Sequence, residues 1–467
     1  MATVDVEARS GSEAVAFAAH PVAAKYARYV NPAFIELLDI FGYGRVFTRA
    51  LDVWLWDDQG RQYLDLLSGF GAVNLGHNHP RLAQRLQAFL ADEALNLYHV
   101  GPSAYAADLA EALLAHLSNA FGICLFSNGG AEAVEAALKL ARAATSRPGI
   151  VYCTGGYHGT SFGTLSVMGE RRMRDPFEPL LPFCTPIPFG DLGALEEALR
   201  HGNVAAFIAE PVQAEAGVRI APAGYWAQAK KICERHGALL IFDEIQTGLG
   251  RTAKWFAFED EDVVPDVLVL AKSLGGGIVP IGATLLGRKL HAKAYGARAR
   301  FDLHSSTFGG NSFACAAALE ALRILDEEQL VANAAARGAE LLSGLRKRLA
   351  GHPLIADIRG RGLLIAIELG PTPHGWLNKL APKLVSIASE KVAGQWIAMR
   401  LLEAGMICQP AAHAWNVLKI EPPLTVTAAH ITQVIDVIGS IFDEYRALPK
   451  LIAHVTARIS RRGLARI

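Results

Sequence analysis

One lysine, Lys272, stands at the end of an apolar run in the stretch LVLAKSLGGGIVPIGA (268–283). An ammonium that stays charged and unpaired in such a run costs roughly several kcal/mol. A strand-end lysine can extend its charged head to water. Alternatively, burial lowers its pKa and keeps it as an amine nucleophile that forms a Schiff base. The polar residues that follow the other apolar runs help to decide between these two interpretations.

A glycine pair precedes a strongly helical stretch. The run GICLF (122–126) is followed by SNGGAEAVEAALKLAR (127–142), in which Gly129 and Gly130 stand directly before the helical pattern. Uncovered N–H groups at a helix start, approached closely through glycines, form an anion site for which phosphate is a natural ligand. The alternative is a plain glycine-rich turn in which Asn128 caps the helix.

An aromatic residue is flanked by glycines after the next apolar run of the chain. GIVYC (149–153) leads into TGGYHG, which presents Tyr157 and then His158. An aromatic side chain held in this way can stack on a planar ring. The alternative is an aromatic residue that only fills a loop.

Two carboxylates, Asp243 and Glu244, follow the run GALLIF (237–242). Paired carboxylates can act as general acid and base, as metal ligands or as partners of a cation. Because no histidine cluster accompanies them, we do not expect a metal site.

These residues together fit one cofactor, pyridoxal phosphate. Its phosphate would lie on the helix start at Gly130, Tyr157 would cover its ring, Asp243 would face the pyridine nitrogen, and Lys272 would hold the aldehyde. A charge pair at about 4 Å and an effective dielectric near 20 contributes roughly 4 kcal/mol, or about three pKa units. That is enough to keep the ring nitrogen protonated, so that the ring accepts electrons while Lys272 carries the substrate's proton. On this interpretation Lys272 is buried because its amine must be uncharged to form the Schiff base.

The elements that must position these residues alternate between strand and helix. Ligands of open α/β sheets bind at the carboxyl ends of the strands, where all of these residues stand. The alternation predicts a mostly parallel sheet covered on both faces, with 282–287 as an added antiparallel strand. The predicted strands are 122–126, 149–153, 204–212, 237–244 and 266–271, and the helices include 131–145 and 222–236.

The chain divides into four predicted segments, which together give an α/β protein with a large and a smaller domain. We expect an N-terminal arm with short helices (1–50), and then an N-terminal part of the small domain with a linker (51–101), which contains two strands around a turn at Asp57–Gly60. The large domain spans 102–330. A smaller α+β domain follows at 331–467, with a strand pair at 357–370 that bends at its glycines and a helix near the end.

The composition excludes several classes of protein. Hydrophobic residues make up 51% of the 467 residues, which is typical of a globular chain, and 45 basic residues balance 45 acidic ones, so nucleic acid is not an expected partner. No apolar run approaches the ~18 residues of a membrane span. The six cysteines form no paired motif, and Asp5 and Glu7 are unlike a signal peptide. We therefore expect a cytoplasmic protein without a membrane partner.

The chain resembles the class III aminotransferases, pyridoxal-phosphate enzymes of fold type I that include ornithine, 4-aminobutyrate and putrescine aminotransferases. The resemblance covers about 45–445 and is closest in wording to the putrescine type. The motifs that carry it, in family order, are SNGGAEAVEAALKLAR, GGYHG, AEPVQAEAGV, LLIFDEIQTGLGRTAKWFAFE, LAKSLGGGIVPIGA, TFGGNSFACAAAL and IEPPL. It implies a large domain with a mostly parallel sheet of seven-stranded type.

The resemblance also implies roles for individual residues. Lys272 would bind the cofactor's aldehyde and act with Asp243 in catalysis, and Gln246 would bond the ring hydroxyl. Thr307 would reach the phosphate from the other subunit, which implies a homodimer with shared active sites. The implied cofactor-binding residues are Gly129, Gly130, Ala131, Tyr157, His158, Glu210, Asp243, Gln246, Lys272 and Thr307, and the implied substrate residues are Phe70, Glu215 and Lys419.

Three features depart from the family pattern. Gly129 and Ala131 stand where many relatives carry hydroxyl residues. Lys419 stands where relatives carry an arginine that holds a substrate carboxylate; it would grip an acceptor loosely, leave room for a substrate without a nearby carboxylate, or pair with Glu215 or another carboxylate. The segment 374–402 is long, and its residues Trp376, Leu377, Leu380, Leu384 and Val385 suit an amphipathic helix. That helix would be extra core or dimer surface, or else a partner or acyl-chain site.

The implied activity is transfer of an amino group between a terminal amine and a 2-oxo acid. The amine could be a diamine, an ω-amino acid or an aliphatic amine formed from an aldehyde. A decarboxylase or aminomutase on the same fold is the alternative, and product analysis would distinguish them. A non-catalytic pyridoxal-binding regulator would need a DNA-binding module, and neither terminus has a convincing basic helix-turn-helix pattern.

Overall fold

The computed structural model describes residues 17–261, 263–370, 393–446 and 454. Its strands are β1 Phe47–Leu51, β2 Trp54–Asp57, β3 Gln62–Asp65, β4 Ile123–Ser127, β5 Gly149–Cys153, β6 Cys184–Ile187, β7 Val204–Ala209, β8 Val212–Gln213, β9 Arg219–Ile220, β10 Leu239–Asp243, β11 Val267–Leu270, β12 Gly282–Leu286, β13 Ile355–Arg361, β14 Leu364–Leu369, β15 Met406–Ile407, β16 Gln409–Ala411 and β17 Ala414–Ile420.

The helices lie between these strands and around them. They are α1 Pro21–Tyr29, α2 Pro32–Phe41, α3 Ser68–Gly71, α4 Pro80–Ala91, α5 Ala104–Ala115, α6 Gly130–Thr145, α7 Phe162–Leu165, α8 Arg171–Arg174, α9 Leu192–Leu199, α10 Tyr225–His236, α11 Arg288–Tyr295, α12 Ser312–Glu327, α13 Leu330–Arg348, α14 Ala393–Glu403 and α15 Ala428–Glu444. Short α1 and α2 agree with the helical pieces predicted for the N-terminal arm. No helix in the described ranges is both long enough and apolar enough to span a bilayer.

A seven-stranded sheet forms the centre of the fold, in the order β4-β12-β11-β10-β7-β5-β6. The strand β12 runs antiparallel to both of its neighbours, while the other neighbouring pairs are parallel. The predicted mostly parallel sheet and the antiparallel strand within 282–287 are therefore confirmed.

Alternate residues of the central strands face opposite sides of the sheet, as the pleat requires. In β10, Leu240 and Phe242 join a core that also contains Trp226 of α10. Ile241 joins a second core with Val134 of α6. Both faces are thus covered, which explains why the strands read as continuous apolar runs.

Two four-stranded sheets complete the fold. The first has the order β13-β14-β17-β16 and is antiparallel, with the predicted strand pair as β13 and β14. In the second, β1-β2-β3-β15, the C-terminal strand β15 pairs in parallel with β3. The N-terminal strands therefore join the C-terminal part of the chain. The four segment boundaries given above stay predictions.

The structure differs from the prediction at 204–212, which was expected to be one strand. It divides into β7 and the short β8, with Glu210 and Pro211 between them. Proline has no N–H to donate to a sheet, so Pro211 ends the ladder there. Most of the predicted amphipathic helix, including its five apolar residues, lies outside the described ranges. The last part of that segment, from Ala393, is helix α14.

Candidate active site

The topology brings the predicted site residues to one edge of the central sheet. Lys272 follows β11, Asp243 ends β10, Glu210 follows β7, and Tyr157 and His158 follow β5. These four strands are consecutive in the sheet and parallel to one another. Their carboxyl ends therefore meet at the same edge, where α/β sheets bind their ligands.

Lys272 is half-buried and its backbone is left-handed, with φ of 47°. Its Nζ donates a hydrogen bond to Oε1 of Gln246 at 2.5 Å. Burial lowers the pKa of Lys272, although the nearby carboxylates, Glu421 first among them, act in the opposite direction. Of the two interpretations offered by the sequence, the structure fits the buried amine and not a lysine that extends to water.

Asp243 pairs with His158 at the same edge. His158 Nδ1 lies 2.8 Å from Oδ2 of Asp243, and both side chains are buried. The other carboxylate oxygen of Asp243 accepts a hydrogen bond from the Ile245 N–H at 3.1 Å. Burial acts to lower the pKa of His158, but the hydrogen bond to Asp243 and the charges of Asp243 and Glu210 together outweigh it and raise the pKa. As a carboxylate, Asp243 would pair with both His158 and a cationic ring nitrogen.

The start of α6 is open to an anion. Gly129 stands at the N-cap without a side-chain capping bond, and a Cβ placed there would meet nothing within 4 Å. At Gly130 a Cβ would lie 2.9 Å from Cδ1 of Ile245, so a larger residue there would displace the end of the Ile245 side chain. The first N–H groups of α6, including that of Ala131, are available to bind a phosphate.

Thr307 is exposed and lies on a loop next to this helix start. Its neighbour Ser306 accepts a hydrogen bond from Nδ2 of Asn128 at 2.7 Å. The loop is thus anchored beside the phosphate loop of its own chain, and the hydroxyl of Thr307 points to no partner within the described part of the chain.

Glu210 braces the loop that carries Tyr157. Its two carboxylate oxygens accept hydrogen bonds from the N–H groups of Tyr157 (2.9 Å) and Ala214 (3.2 Å). Burial raises the pKa of Glu210 to about 7. The ring of Tyr157 lies 5.7 Å from that of His413, which comes from the turn between β16 and β17.

Two of the predicted substrate residues, Lys419 and Glu215, belong to one buried cluster of charges, and the third, the exposed Phe70, lies beside it. Lys419 pairs with Glu215 and, at 2.9 Å, with Glu421. Nε2 of Gln246 donates to Glu421 at 2.9 Å and to Glu215 at 3.2 Å, so its Oε1 is left to face Lys272. The ring of Phe70 lies 5.2 Å from Nζ of Lys419. The structure thus shows the alternative in which Lys419 pairs with Glu215, and Glu421 is a second carboxylate that also pairs with it.

Sequence reasoning assigned no role to three residues that the structure brings to the site. Ile245 packs beneath Gly130, His413 contacts Tyr157, and Glu421 joins the charge cluster. Glu421 stands in the IEPPL motif and Ile245 two residues after Asp243, so both were visible in the motifs. No comparable signal marked His413.

The buried pairing of Glu215 predicts a pH-dependent stability. Burial alone would raise its pKa, but the charges of Lys419 and Lys272, with the hydrogen bonds from Lys419 and the Ala412 N–H, lower it from 4.5 to about 2. A carboxyl whose pKa is lower in the folded state stabilises the protein above the unfolded value and loses that contribution as the pH falls. Between pH 4.5 and pH 2, the urea midpoint of the parent should therefore fall more steeply than that of Glu215→Gln. A substitution of the exposed Glu197 serves as control, and equal slopes for parent and Glu215→Gln would contradict the pairing.

The site as a whole fits pyridoxal phosphate. It combines an uncapped helix start for the phosphate, a buried carboxylate for the ring nitrogen and a buried, weakly basic amine for the aldehyde. Among the residues that the structure describes, no group of three His, Cys, Asp or Glu side chains could hold a metal ion.

Comparison with known proteins identifies the family. The family model for class III aminotransferases matches residues 42–442. The chain is 36% identical over 455 residues to the aminotransferase PigE of Serratia sp. (strain ATCC 39006); the match covers 90% of this chain and 53% of PigE, so the chain spans about half the length of that relative.

Solved structures agree with this assignment. The chain superposes on an ornithine aminotransferase from Toxoplasma gondii with a TM-score of 0.77 at 32% identity, and the match covers 89% of this chain and 98% of that one. That structure is reported with partial occupancy of pyridoxal phosphate at its active site. An aminotransferase from Bacillus anthracis gives a TM-score of 0.78 at 30% identity, covering 90% and 97%. The match along most of the chain and the shared fold confirm the resemblance read from the motifs, and the chain belongs to the class III aminotransferases, pyridoxal-phosphate enzymes of fold type I.

Proposed function

We propose that this chain is a transaminase that transfers an amino group between a terminal amine and a 2-oxo acid. The amine is a diamine, an ω-amino acid or an aliphatic amine related to an aldehyde. The observation that supports this most directly is Lys272, a buried amine of lowered pKa at the edge of the sheet where the Asp243–His158 pair also lies. Family membership favours transamination over decarboxylation or isomerisation.

Each residue of the site has a role in this reaction. When bound, pyridoxal phosphate supplies an electron sink for the bond that breaks at the substrate's reacting carbon. Nζ of Lys272 takes the proton from that carbon and later returns it. Asp243, paired with His158, holds a proton on the ring nitrogen. The start of α6 binds the phosphate, and Gln246 orients Lys272 through their hydrogen bond.

A half-reaction screen tests this proposal. Candidate amines are added to the purified holoenzyme, and absorbance follows conversion of the cofactor to its amine form. A 2-oxo acid should then restore the original absorbance. Release of carbon dioxide, or of an isomer without a second substrate, would instead indicate a decarboxylase or an aminomutase.

We further propose that the protein is a homodimer with shared active sites. Two stretches expose large apolar side chains in the single chain: 95–100, where Val100 is 86% exposed, and 301–308, where Phe301 is 76% exposed. The stretches lie close together, because Asn96 accepts hydrogen bonds from the first residues of α12. A patch of this kind favours a protein partner, and a second copy of the chain would cover it and bring Thr307 to the neighbouring phosphate site.

Mixed dimers test whether Thr307 acts across the interface. A Lys272→Ala chain is combined with a Thr307→Ala chain. If Thr307 serves the partner's site, one site carries both lesions and the other is intact. We therefore expect recovered activity with the cofactor affinity of the parent. Activity only at the weakened affinity of the Thr307→Ala homodimer would mean that each lesion stays in its own site.

We also infer a reducing compartment, the cytoplasm, as the location. All six cysteines are unpaired, and burial raises the pKa of Cys124, Cys315 and Cys408 to about 12, so these thiols are unreactive. Fractionation of the native host, with the chain detected by antibody, tests this location.

A further inference from the structure

The loop that carries Tyr157 is held by residues from two parts of the fold. Nε2 of Gln213 donates a hydrogen bond to the Thr154 carbonyl at 3.0 Å. Glu210 accepts a hydrogen bond from the Tyr157 N–H at 2.9 Å, and both Glu210 and Gln213 follow β7 of the central sheet. His413 adds a contact from the C-terminal sheet, because it lies in the turn between β16 and β17. The position of Tyr157 therefore depends on both sheets.

The imidazole of His413 makes two contacts with this loop. Its Nδ1 lies 3.1 Å from the carbonyl oxygen of Gly155. Its ring centre lies 5.7 Å from that of Tyr157, and the two rings are tilted by 41°. Because a carbonyl oxygen only accepts hydrogen bonds, Nδ1 carries the hydrogen and donates it. The bond thus holds the backbone two residues before the aromatic side chain.

His413 is itself fixed by the turn in which it lies. Its N–H donates to the backbone carbonyl of Glu215 at 2.9 Å, and the N–H of Ala412 donates to the carboxylate of Glu215 at 3.0 Å. Nε1 of Trp415 donates to the Ala412 carbonyl at 3.2 Å and closes the turn. A turn that is anchored in this way can hold the imidazole in one direction, so that it supports the neighbouring loop.

The hydrogen bond to Gly155 distinguishes His413 from an apolar residue. The other ring nitrogen, Nε2, makes no hydrogen bond with any residue that the structure describes. An apolar side chain of similar size would fill the same space but could not donate to Gly155. The donor at Nδ1 is therefore the property of histidine that the loop uses.

We propose that His413 is a positioning residue that orients Tyr157 over the cofactor ring through its hydrogen bond to Gly155. Stacked aromatic rings prefer a defined offset and tilt, so a shift of the loop would change how Tyr157 covers the cofactor. The proposal rests on the stacking role that the family resemblance implies for Tyr157. It goes beyond the transaminase function, because the same support applies whichever amine reacts.

Three substitutions of His413 separate the hydrogen bond from the ring contact. His413→Asn keeps a donor near the position of Nδ1, His413→Phe keeps the ring, and His413→Leu keeps neither. Visible circular dichroism of the holoenzyme reports the orientation of the cofactor, and titration with pyridoxal phosphate gives its dissociation constant. We expect His413→Asn to resemble the parent in both measurements. The other two variants should lose most of the dichroism and bind the cofactor roughly tenfold more weakly.

Trp415→Leu is the matched control, because Trp415 is an exposed aromatic residue of the same turn. Its dichroism and cofactor affinity should match those of the parent. A loss equal to that of His413→Leu would mean that any disturbance of the turn suffices, which would overturn the proposal. Urea midpoints of all variants are compared with their spectra, and a dichroism that merely followed the midpoints would also contradict a positioning role.

A Tyr157→Leu background shows whether His413 acts through Tyr157. In that background, His413→Phe should change neither the dichroism nor the cofactor affinity any further. Equal effects with and without Tyr157 would refute the proposal, as would a His413→Asn variant no closer to the parent than His413→Phe. Should His413→Phe fail to fold, His413→Leu takes its place. A parent holoenzyme that reacts with no amine would refute the transaminase function and would leave this comparison intact.

Discussion

A Lys272→Ala chain should fold, bind pyridoxal phosphate without the covalent link and show no measurable turnover. The amine of Lys272 is connected to the rest of the site by its hydrogen bond to Gln246. Alanine supplies neither a nucleophile nor a group that can carry a proton. We expect loss of the visible absorbance of covalently held cofactor and a fall in turnover of roughly four or more orders of magnitude, since two separate functions disappear.

The matched control is Lys289→Ala, which removes an exposed lysine of α11. The chain enters α11 from the end of β12, the strand that runs opposite to its neighbours, so Lys289 lies at the edge of the sheet away from the site. This variant should match the parent in absorbance and rate. Turnover of Lys272→Ala near the parent rate would refute the assignment of the catalytic lysine.

An Asp243→Asn chain should keep its cofactor but lose most of its rate. A charge pair at about 4 Å and an effective dielectric near 20 contributes roughly 4 kcal/mol, or about three pKa units of the ring nitrogen. Asparagine removes that charge while it keeps the shape of the buried side chain. Proton removal from the substrate should therefore slow by roughly a thousandfold, measured as a single-turnover rate with saturating amine.

Glu244→Gln is the control for this experiment, since Glu244 is the next residue and is equally buried. Its carboxyl accepts hydrogen bonds from the N–H groups of Ala257 and Phe258 and takes no part in the site. Burial raises its pKa to about 8, so that it is largely neutral at pH 7. Its substitution should lower stability and leave the single-turnover rate within a few-fold. If Asp243→Asn behaved like Glu244→Gln, the ring nitrogen would have another partner.

The part of the site that lies on the central sheet was predictable from the sequence for a local reason. Lys272, Asp243 and Tyr157 each follow an apolar run, and the parallel sheet carries the ends of such runs to one edge. The antiparallel strand β12 was predictable in the same way, as a short apolar run after the glycines. Pro211, which divides the strand predicted at 204–212, stands in the sequence itself, and its missing N–H is a local reason for the ladder to end there.

The part of the site that comes from the C-terminal sheet was not predictable to the same extent. Glu421 and His413 reach the site only because β17 and its preceding turn pack against the central sheet's edge, a long-range arrangement that no local pattern encodes. A pairing of Lys419 with Glu215 could be anticipated as one alternative, but not the sharing of Lys419 between two acids. The role of Thr307 depends on a second chain and stays a prediction.

Selection for thermal stability alone would remove the lysine from position 272. Its backbone is left-handed, with φ of 47°, a conformation that glycine adopts freely and that strains a lysine by roughly 1–2 kcal/mol. Burial of its amine adds a desolvation penalty of its own. Glycine should therefore be the more stable residue here, so that activity and folding make opposite demands on position 272.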